Sequence, residues 1–176
     1  MRTCIFDFET TGFDADFGRL ICAVIKPYRE REMIIILPKS PLDDSFAIKR
    51  VKKALEQYDI IVGHYIKGFD IPYLNSKLLL LDEPRLPSRF QVDTYFIARH
   101  YAKHAIRSKS LKHLADVLGL EEQKMTIRCK TWNQARDGMP RAIQKLVRRC
   151  ISDVRLTEQI YEKMLQAGWI ASLKRE

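Results

Sequence analysis

Short apolar runs alternate with turn-like segments over the first part of the chain. These runs predict three β-strands, at residues 2–8, 19–26 and 31–37. The segments between the strands are short and rich in Gly, Asp, Pro and Tyr, a composition that favours turns. Three consecutive strands with short links predict an antiparallel meander at the start of the fold.

The apolar spacing then changes to the helical period. SFAIKRVKKALEQ predicts a helix over 45–57 with Ser45 as its cap, and the wholly apolar segment at 59–64 predicts a strand buried on both faces. The remaining predicted elements are a helix at about 70–80, a strand at 90–93, a helix at 110–120 capped by Ser110 and ended by Gly119, and a long helix at about 140–166. This order predicts one α/β domain over residues 1–176, with a mixed sheet flanked by helices.

The composition indicates a partner class and a location. The chain has 31 Lys and Arg against 22 Asp and Glu, a net charge of +9 that favours a polyanion such as nucleic acid. We expect no membrane partner because no apolar run is long enough to span a bilayer. The four cysteines lie far apart without C-x-x-C spacing, so we expect reduced thiols and a cytoplasmic, intracellular protein.

Four acidic residues occupy unusual positions. Asp7 and Glu9 are two apart on the first strand and point to the same face, Asp70 follows the buried strand, and Asp153 lies beside the apolar stripe of the last helix. Each has an ordinary explanation: Asp70 can cap its helix, Asp153 can pair with Arg149 one turn earlier, and the first two can face solvent. Converging at one point, however, the four would form an oxygen-ligand site for two Mg²⁺ or Mn²⁺ ions, which suits phosphodiester cleavage.

Three segments resemble the motifs of a known family, in the same order. DFETTG, GHYIKGFDIPYL and RRCISDVRLTEQIY resemble the three motifs of the DEDD superfamily of 3′–5′ exonucleases, DnaQ-like proteins of the RNase-H-like fold. The resemblance covers almost the whole chain. It looks closest to stand-alone exonucleases with a tyrosine-type third motif and to the proofreading domain of B-family DNA polymerases. It implies an RNase-H-like mixed sheet, with the three-strand meander followed by αβα units.

The resemblance also implies an activity. The chain is expected to be a 3′–5′ exonuclease that hydrolyses single-stranded DNA or RNA from a free 3′ end, by a two-metal-ion mechanism with Mg²⁺ or Mn²⁺. The matching catalytic and metal-binding positions are Asp7, Glu9, Asp70 and Asp153. The segment that approaches the 3′-terminal nucleotide matches Thr10, Thr11 and Gly12.

The chain departs from the family pattern in two motifs. Arg149 replaces the tyrosine of the tyrosine-type motif and Arg148 replaces the histidine of the histidine-type motif, so neither usual base is present. Because arginine stays protonated, we expect Arg149 either to contact the scissile phosphate or to pair with Asp153 and weaken metal binding, and Arg148 to contact substrate. The family often has asparagine where this chain has Tyr65, and Tyr65 or His64 can replace it by stacking or hydrogen bonding.

A basic segment at 99–113 carries five Lys and Arg, three histidines and Tyr101. It suits a run of phosphates with a stacked base, or else it is an exposed mobile loop. Trp132 is either a packing residue or a lid over the site.

The alternative to a nuclease is a weakly active or inactive nucleic-acid-binding module of the same fold. A third hypothesis is a protein-interaction domain, in which the acidic residues are helix caps and members of surface ion pairs.

Overall fold

A five-stranded mixed sheet forms the centre of the fold. The computed structural model describes residues 1–120 and 125–171. The strands are β1 (Thr3–Thr10), β2 (Leu20–Pro27), β3 (Ile34–Ile36), β4 (Ile60–Gly63) and β5 (Phe90–Asp93). They lie in the order β3-β2-β1-β4-β5, with β1, β2 and β3 antiparallel and with β4 and β5 parallel to β1. The predicted meander and the mixed α/β sheet are confirmed.

Helices flank this sheet in the described part of the chain. They are α1 (Ser45–Leu55), α2 (Asp70–Leu80), α3 (Thr94–Ala102), α4 (Leu111–Val117), α5 (Cys129–Arg136) and α6 (Pro140–Gln166). The bounds predicted for α2 and α6 are confirmed, and α4 has the predicted Ser110 cap, whose hydroxyl accepts the amide of His113 at 3.3 Å. Among the described helices, none has the length and apolar character needed to cross a bilayer.

Several local predictions differ from the structure. The helices α3 and α5 were not predicted, and the first residues of the basic segment 99–113 belong to α3 rather than to a loop. Ser45 is the first residue of α1 and not its cap. The cap position is Asp44, whose carboxylate instead accepts the amide of Leu20 at 2.7 Å. The strand β3 is shorter than predicted, because its antiparallel ladder with β2 extends only from the Ile25–Ile34 pair to the Ala23–Ile36 pair.

The two faces of the sheet pack against different helices. From β1, Phe6 and Phe8 point to the layer of α1 and α2, whereas Ile5 packs with Val154 of α6. Because side chains alternate along a strand, Asp7 and Glu9 share the α6 face with Ile5. The pairing of β1 with β4 ends at Ile5 and Val62, so β1 extends past β4 and its carboxyl half lies beside the loop that leads to α2.

Candidate active site

Three carboxylates meet where β1 passes beneath α6. Asp7 and Glu9 come from the carboxyl half of β1, and Asp153 comes from the middle of α6. One carboxylate oxygen of each lies within 4.8 Å of the other two. Oxygen donors grouped in this way are the ligands that hard divalent cations prefer. The structure therefore brings together three of the four acids that the sequence singles out, and we call Asp7, Glu9 and Asp153 the acidic cluster.

Burial makes the charge of this cluster costly. Glu9 is only 8% exposed and Asp153 only 3%, while Asp7 is half-buried. Burial raises the pKa of Glu9, the nearby charge of Asp153 raises it further, and Arg149 and the Trp132 indole lower it. Positive charge near the cluster therefore favours the ionised form of Glu9.

Asp70 approaches the cluster from the opposite layer of the fold. It is the first residue of α2, and its carboxylate is buried beside the backbone amide of Phe8, between the two acids of β1. Burial raises the pKa of Asp70 to about 7, and the charges of Asp93 and Glu9 add to the rise. Asp70 is not the cap of α2, a position that Phe69 occupies. It borders the acidic cluster without belonging to the group of oxygens within 4.8 Å.

Arg149 places its guanidinium against the acidic cluster. Its Nε lies 2.6 Å from Oε1 of Glu9 and 3.7 Å from Oδ2 of Asp153, which is one turn later on α6. The sequence predicted for Arg149 either an ion pair with Asp153 or a phosphate contact. The structure contains the ion pair and extends it to Glu9, the closer of the two partners.

Trp132, which lies on α5, contacts both Glu9 and Arg149. Its Nε1 donates a hydrogen bond to Oε2 of Glu9 at 3.2 Å, and the guanidinium carbon of Arg149 lies 5.0 Å from the centre of its ring. The sequence left Trp132 open between a packing residue and a lid, and it missed the contact with Glu9. A single tryptophan in a mostly polar helix was the only available signal, because α5 buries little beyond Thr131 and Ala135.

Cys150 holds Asp7 from the α6 side. Its Sγ donates to the main-chain oxygen of Asp7 at 3.3 Å and lies 3.3 Å from Oδ2 of the same residue. Burial raises the pKa of this thiol well above its ordinary value, so it stays neutral and keeps the hydrogen that it donates. Sequence reasoning assigned Cys150 only to the apolar stripe of the helix and missed this contact.

An open cleft of about 430 Å³ adjoins the acidic cluster. Its lining residues include residues 10–12, at the end of β1 and in the turn that follows, together with Glu9, Trp132 and Arg149. Internal hydrogen bonds hold the turn: the Thr10 hydroxyl donates to the carbonyl of Gly12 at 2.7 Å, and the Thr11 hydroxyl accepts the amide of Arg19 at 2.9 Å. The cleft gives a ligand access to the cluster along this turn.

Other predicted auxiliary residues lie outside the lining of this cleft. Arg148 is exposed on α6. His64 places Nδ1 at 2.9 Å from the hydroxyl of Thr94, and the ring of Tyr65 packs against those of Tyr95 and Phe96. The roles of Arg148, His64 and Tyr65 toward a substrate stay predictions.

Comparison with known proteins agrees with this architecture. The model of the RNase_H superfamily matches residues 4–165. The chain belongs to the RNase H superfamily. The fold also matches the structure of the family B DNA polymerase from the hyperthermophilic archaeon Pyrobaculum calidifontis, with a TM-score of 0.77 and 23% identity over 94% of this chain. This chain spans 24% of that polymerase chain, and at this identity the likeness shows the RNase-H-like fold alone. No curated protein matches the chain.

Proposed function

We propose that this member of the RNase H superfamily is a metal-dependent 3′–5′ exonuclease of the DEDD, DnaQ-like type. Its substrate is single-stranded DNA or RNA with a free 3′ end. The observation that carries the proposal is the convergence of Asp7, Glu9 and Asp153 on one point beside the cleft. The structural likeness to a family B DNA polymerase and the net charge of +9 support a nucleic acid as substrate.

The donor set fits Mg²⁺ or Mn²⁺. The three clustered carboxylates supply hard oxygen ligands, and Asp70 lies at the edge of the cluster for the second ion of a two-ion arrangement. Bound there, the ions would supply Lewis-acid stabilisation of the negative charge that develops on the scissile phosphate. This role explains why the fold retains several buried acids around one arginine, an arrangement that is otherwise costly.

The chain itself orients the substrate. The segment 10–12 offers backbone and hydroxyl groups to the terminal nucleotide, and Trp132 also lines the cleft. A cation held by Glu9 would compete with Arg149, whose guanidinium pairs with the same carboxylate. Arg149 lines the cleft, where its guanidinium can neutralise substrate phosphate. Neither Arg149 nor Arg148 acts as a general base.

Release of mononucleotides from the 3′ end tests the proposal. Purified protein is given matched DNA and RNA oligonucleotides, labelled at the 5′ end and incubated with Mg²⁺, Mn²⁺ or EDTA. We expect metal-dependent shortening one nucleotide at a time, and protection when the 3′ hydroxyl is blocked. Asp7→Asn removes a clustered ligand and should abolish shortening, whereas Asp116→Asn, an exposed acid of α4, should not. No product with either metal over a broad pH range contradicts the proposal.

The ion pair between Arg149 and Glu9 favours a second candidate, a weakly active or inactive nucleic-acid-binding module of the same fold. This module would bind oligonucleotides without cutting them, because Arg149 holds the carboxylate and no tyrosine stands at that position. Arg149→Tyr then restores cutting while oligonucleotide affinity stays similar. Cutting by the unaltered protein at a rate equal to that of Arg149→Tyr excludes this candidate. The single domain over 1–176 and the intracellular location stay predictions.

A further inference from the structure

Aromatic rings form a contiguous exposed surface at the carboxyl ends of β4 and β5. The ring of Tyr65 lies 4.9 Å from that of Tyr95 and is stacked with that of Phe96 at 5.8 Å, centre to centre. Tyr65 is 44% exposed and Phe96 is 37% exposed. Aromatic rings that share an exposed face in this way mark a binding surface more often than rings scattered singly.

The backbone beneath these rings is held in an unfavourable conformation. Tyr65 has a φ of +67°, a region that bulky side chains rarely adopt. Asp93, which is 2% exposed, accepts the backbone amides of Tyr65, Lys67 and Tyr95 at 2.9, 2.9 and 3.0 Å. One buried carboxylate therefore fixes the loop after β4 and the start of α3 together. Strain that is retained in this way is typical of functional sites.

The surface around these rings is positively charged. The segment 94–113 contains no acidic residue, and its cations include Arg99, Lys103 and Arg107, all exposed. Lys67 is exposed beside them. Lys109 is different, since its ammonium donates to the carbonyls of Lys103 and Ile106 and so closes the end of α3.

A groove continues the aromatic surface along α3. Its volume is about 380 Å³, and it is lined by Lys67, Phe96, His100, Tyr101 and Trp169, among others. Tyr101 is 54% exposed and stacks on Trp169 with a centre distance of 5.5 Å and an interplanar angle of 19°. Exposed rings thus occur at intervals from the sheet edge to the groove. The sheet-edge end of this surface lies near Asp70, which borders the acidic cluster, because Asp93 is close enough for its charge to raise the pKa of Asp70.

We propose that this surface binds the single-stranded nucleic acid that precedes the 3′-terminal nucleotide. Bases stack on the rings of Tyr65, Phe96 and Tyr101, and phosphates lie against Lys67 and Arg99. Exposed stacking rings combined with exposed cations match the way single strands are bound without sequence preference, and the acid in the described lining of the groove, Asp93, is buried beneath the surface. An acidic protein would match the charge but not the exposed rings. This proposal rests on the proposed function, which places the 3′ end of the nucleic acid at the acidic cluster. It adds a second binding site, away from that cluster.

Anisotropy of a labelled single strand in EDTA tests this site without hydrolysis. We expect affinity to rise as the strand lengthens from two nucleotides to about twelve, because longer strands reach the groove. Phe96→Leu and Tyr101→Leu, which remove a ring and keep apolar bulk, should each weaken binding of the long strand about tenfold. Arg99→Gln should weaken binding and lower the slope of log affinity against log salt by about one.

Phe46→Leu is the matched control. Phe46 is 49% exposed on α1, with Lys39 Nζ at 4.5 Å and the Arg50 guanidinium carbon at 5.9 Å from its ring centre. Its substitution should leave affinity unchanged. Circular dichroism confirms that each variant is folded. Affinities of Phe96→Leu and Tyr101→Leu equal to that of the unaltered protein, or an equal loss in Phe46→Leu, overturn the proposal.

The two proposals fail in different ways. If the unaltered protein shortens no oligonucleotide but loses affinity on removal of these rings, the exonuclease assignment fails and the strand-binding surface stands. If the protein shortens oligonucleotides but Phe96→Leu and Tyr101→Leu bind the long strand normally, only the strand-binding surface fails.

Discussion

The helix α6 makes two buried ion pairs with the sheet, and they differ in charge balance. Near its carboxyl end, Glu158 pairs with Lys26 of β2, with 2.6 Å between Nζ and Oε2. The same carboxylate also accepts the backbone amide of Arg29 at 2.9 Å. One cation meets one anion here, and the carboxylate has a second donor. Such a pair has the features of a structural contact between a helix and a sheet.

Near the middle of α6, Arg149 lies equally close to Glu9, at 2.6 Å, but other acids surround the pair. Asp153 is 3.7 Å from the same nitrogen, and Asp7 belongs to the same cluster. Asp70 is buried at its edge. The acids therefore outnumber the guanidinium that faces them. The distance alone does not distinguish the two ion pairs, whereas the surplus of carboxylates around Arg149 does. The proposed cation site depends on this surplus.

The largest effect is expected from breaking the ion pair between Lys26 and Glu158, which we call the balanced pair because one cation meets one anion. Lys26→Met leaves Glu158, whose side chain is only 14% exposed, without its cation, so we expect the free energy of unfolding to fall by about 3–5 kcal/mol. Urea denaturation measures the loss. Lys112→Met is the matched control, because Lys112 pairs with Asp116 at 3.0 Å but is exposed, and its loss should cost less than about 1 kcal/mol. Similar losses in the two variants would show that burial does not distinguish these pairs.

The next largest effect is the change of stability with pH that arises from Asp70. The pKa of Asp70 is about 7 in the folded protein and about 4 when unfolded, so the folded state holds this proton more tightly. Without metal, the contribution of Asp70 to stability is therefore greatest below about pH 4 and is lost as the pH rises through about 7, a loss of about 4 kcal/mol. Asp70→Asn should remove most of this fall. Denaturation midpoints in EDTA at several pH values measure it.

A pH profile that is the same in Asp70→Asn and in the unaltered protein would contradict the raised pKa. Glu158→Gln offers the comparison from the balanced pair. Its carboxylate is already paired with Lys26, so its replacement should lower stability without removing the fall between about pH 4 and pH 7.

Arg149 is expected to compete with divalent cations. Arg149→Gln keeps a polar side chain but removes the charge that occupies Glu9, so the affinity for Mn²⁺ should rise about tenfold. Titration calorimetry at neutral pH measures the affinity. Arg155→Gln removes an equal charge from an exposed position on the same helix and should change it little. Equal affinities in the two variants would mean that Arg149 does not compete for the cluster.

The smallest effect is expected at Trp132. Trp132→Phe keeps a ring beside Arg149 but removes the hydrogen bond from Nε1 to Glu9, at a cost of about 1 kcal/mol in the absence of metal. Thermal unfolding in EDTA and in saturating Mn²⁺ measures it. We expect a smaller difference with Mn²⁺, because the cation then replaces the indole as the partner of Glu9. An equal cost in both conditions would assign Trp132 to packing alone.

Much of the architecture was predictable because it depends on local periodicity. Alternation along β1 placed Asp7 and Glu9 on one face, and the helical stripe of α6 placed Asp153 beside buried residues. The bounds of α2 and α6 followed from the same patterns. The weakly apolar helix α5 was not predicted, and with it the contact of Trp132 was missed, because α5 buries too few residues to give a periodic signal.

The sequence by itself determined the α/β fold, the residues that face the core and the presence of acids on core-facing elements. Only the tertiary structure decided which of these acids meet. Asp7, Glu9 and Asp153 converge because α6 crosses the sheet at β1, whereas Asp70 reaches the same edge from the opposite layer. The tertiary structure also decided that Arg149 lies closer to Glu9, which is far away in the sequence, than to Asp153. Periodicity fixes the direction of a side chain within its own element, but a distance between elements depends on how the whole core packs.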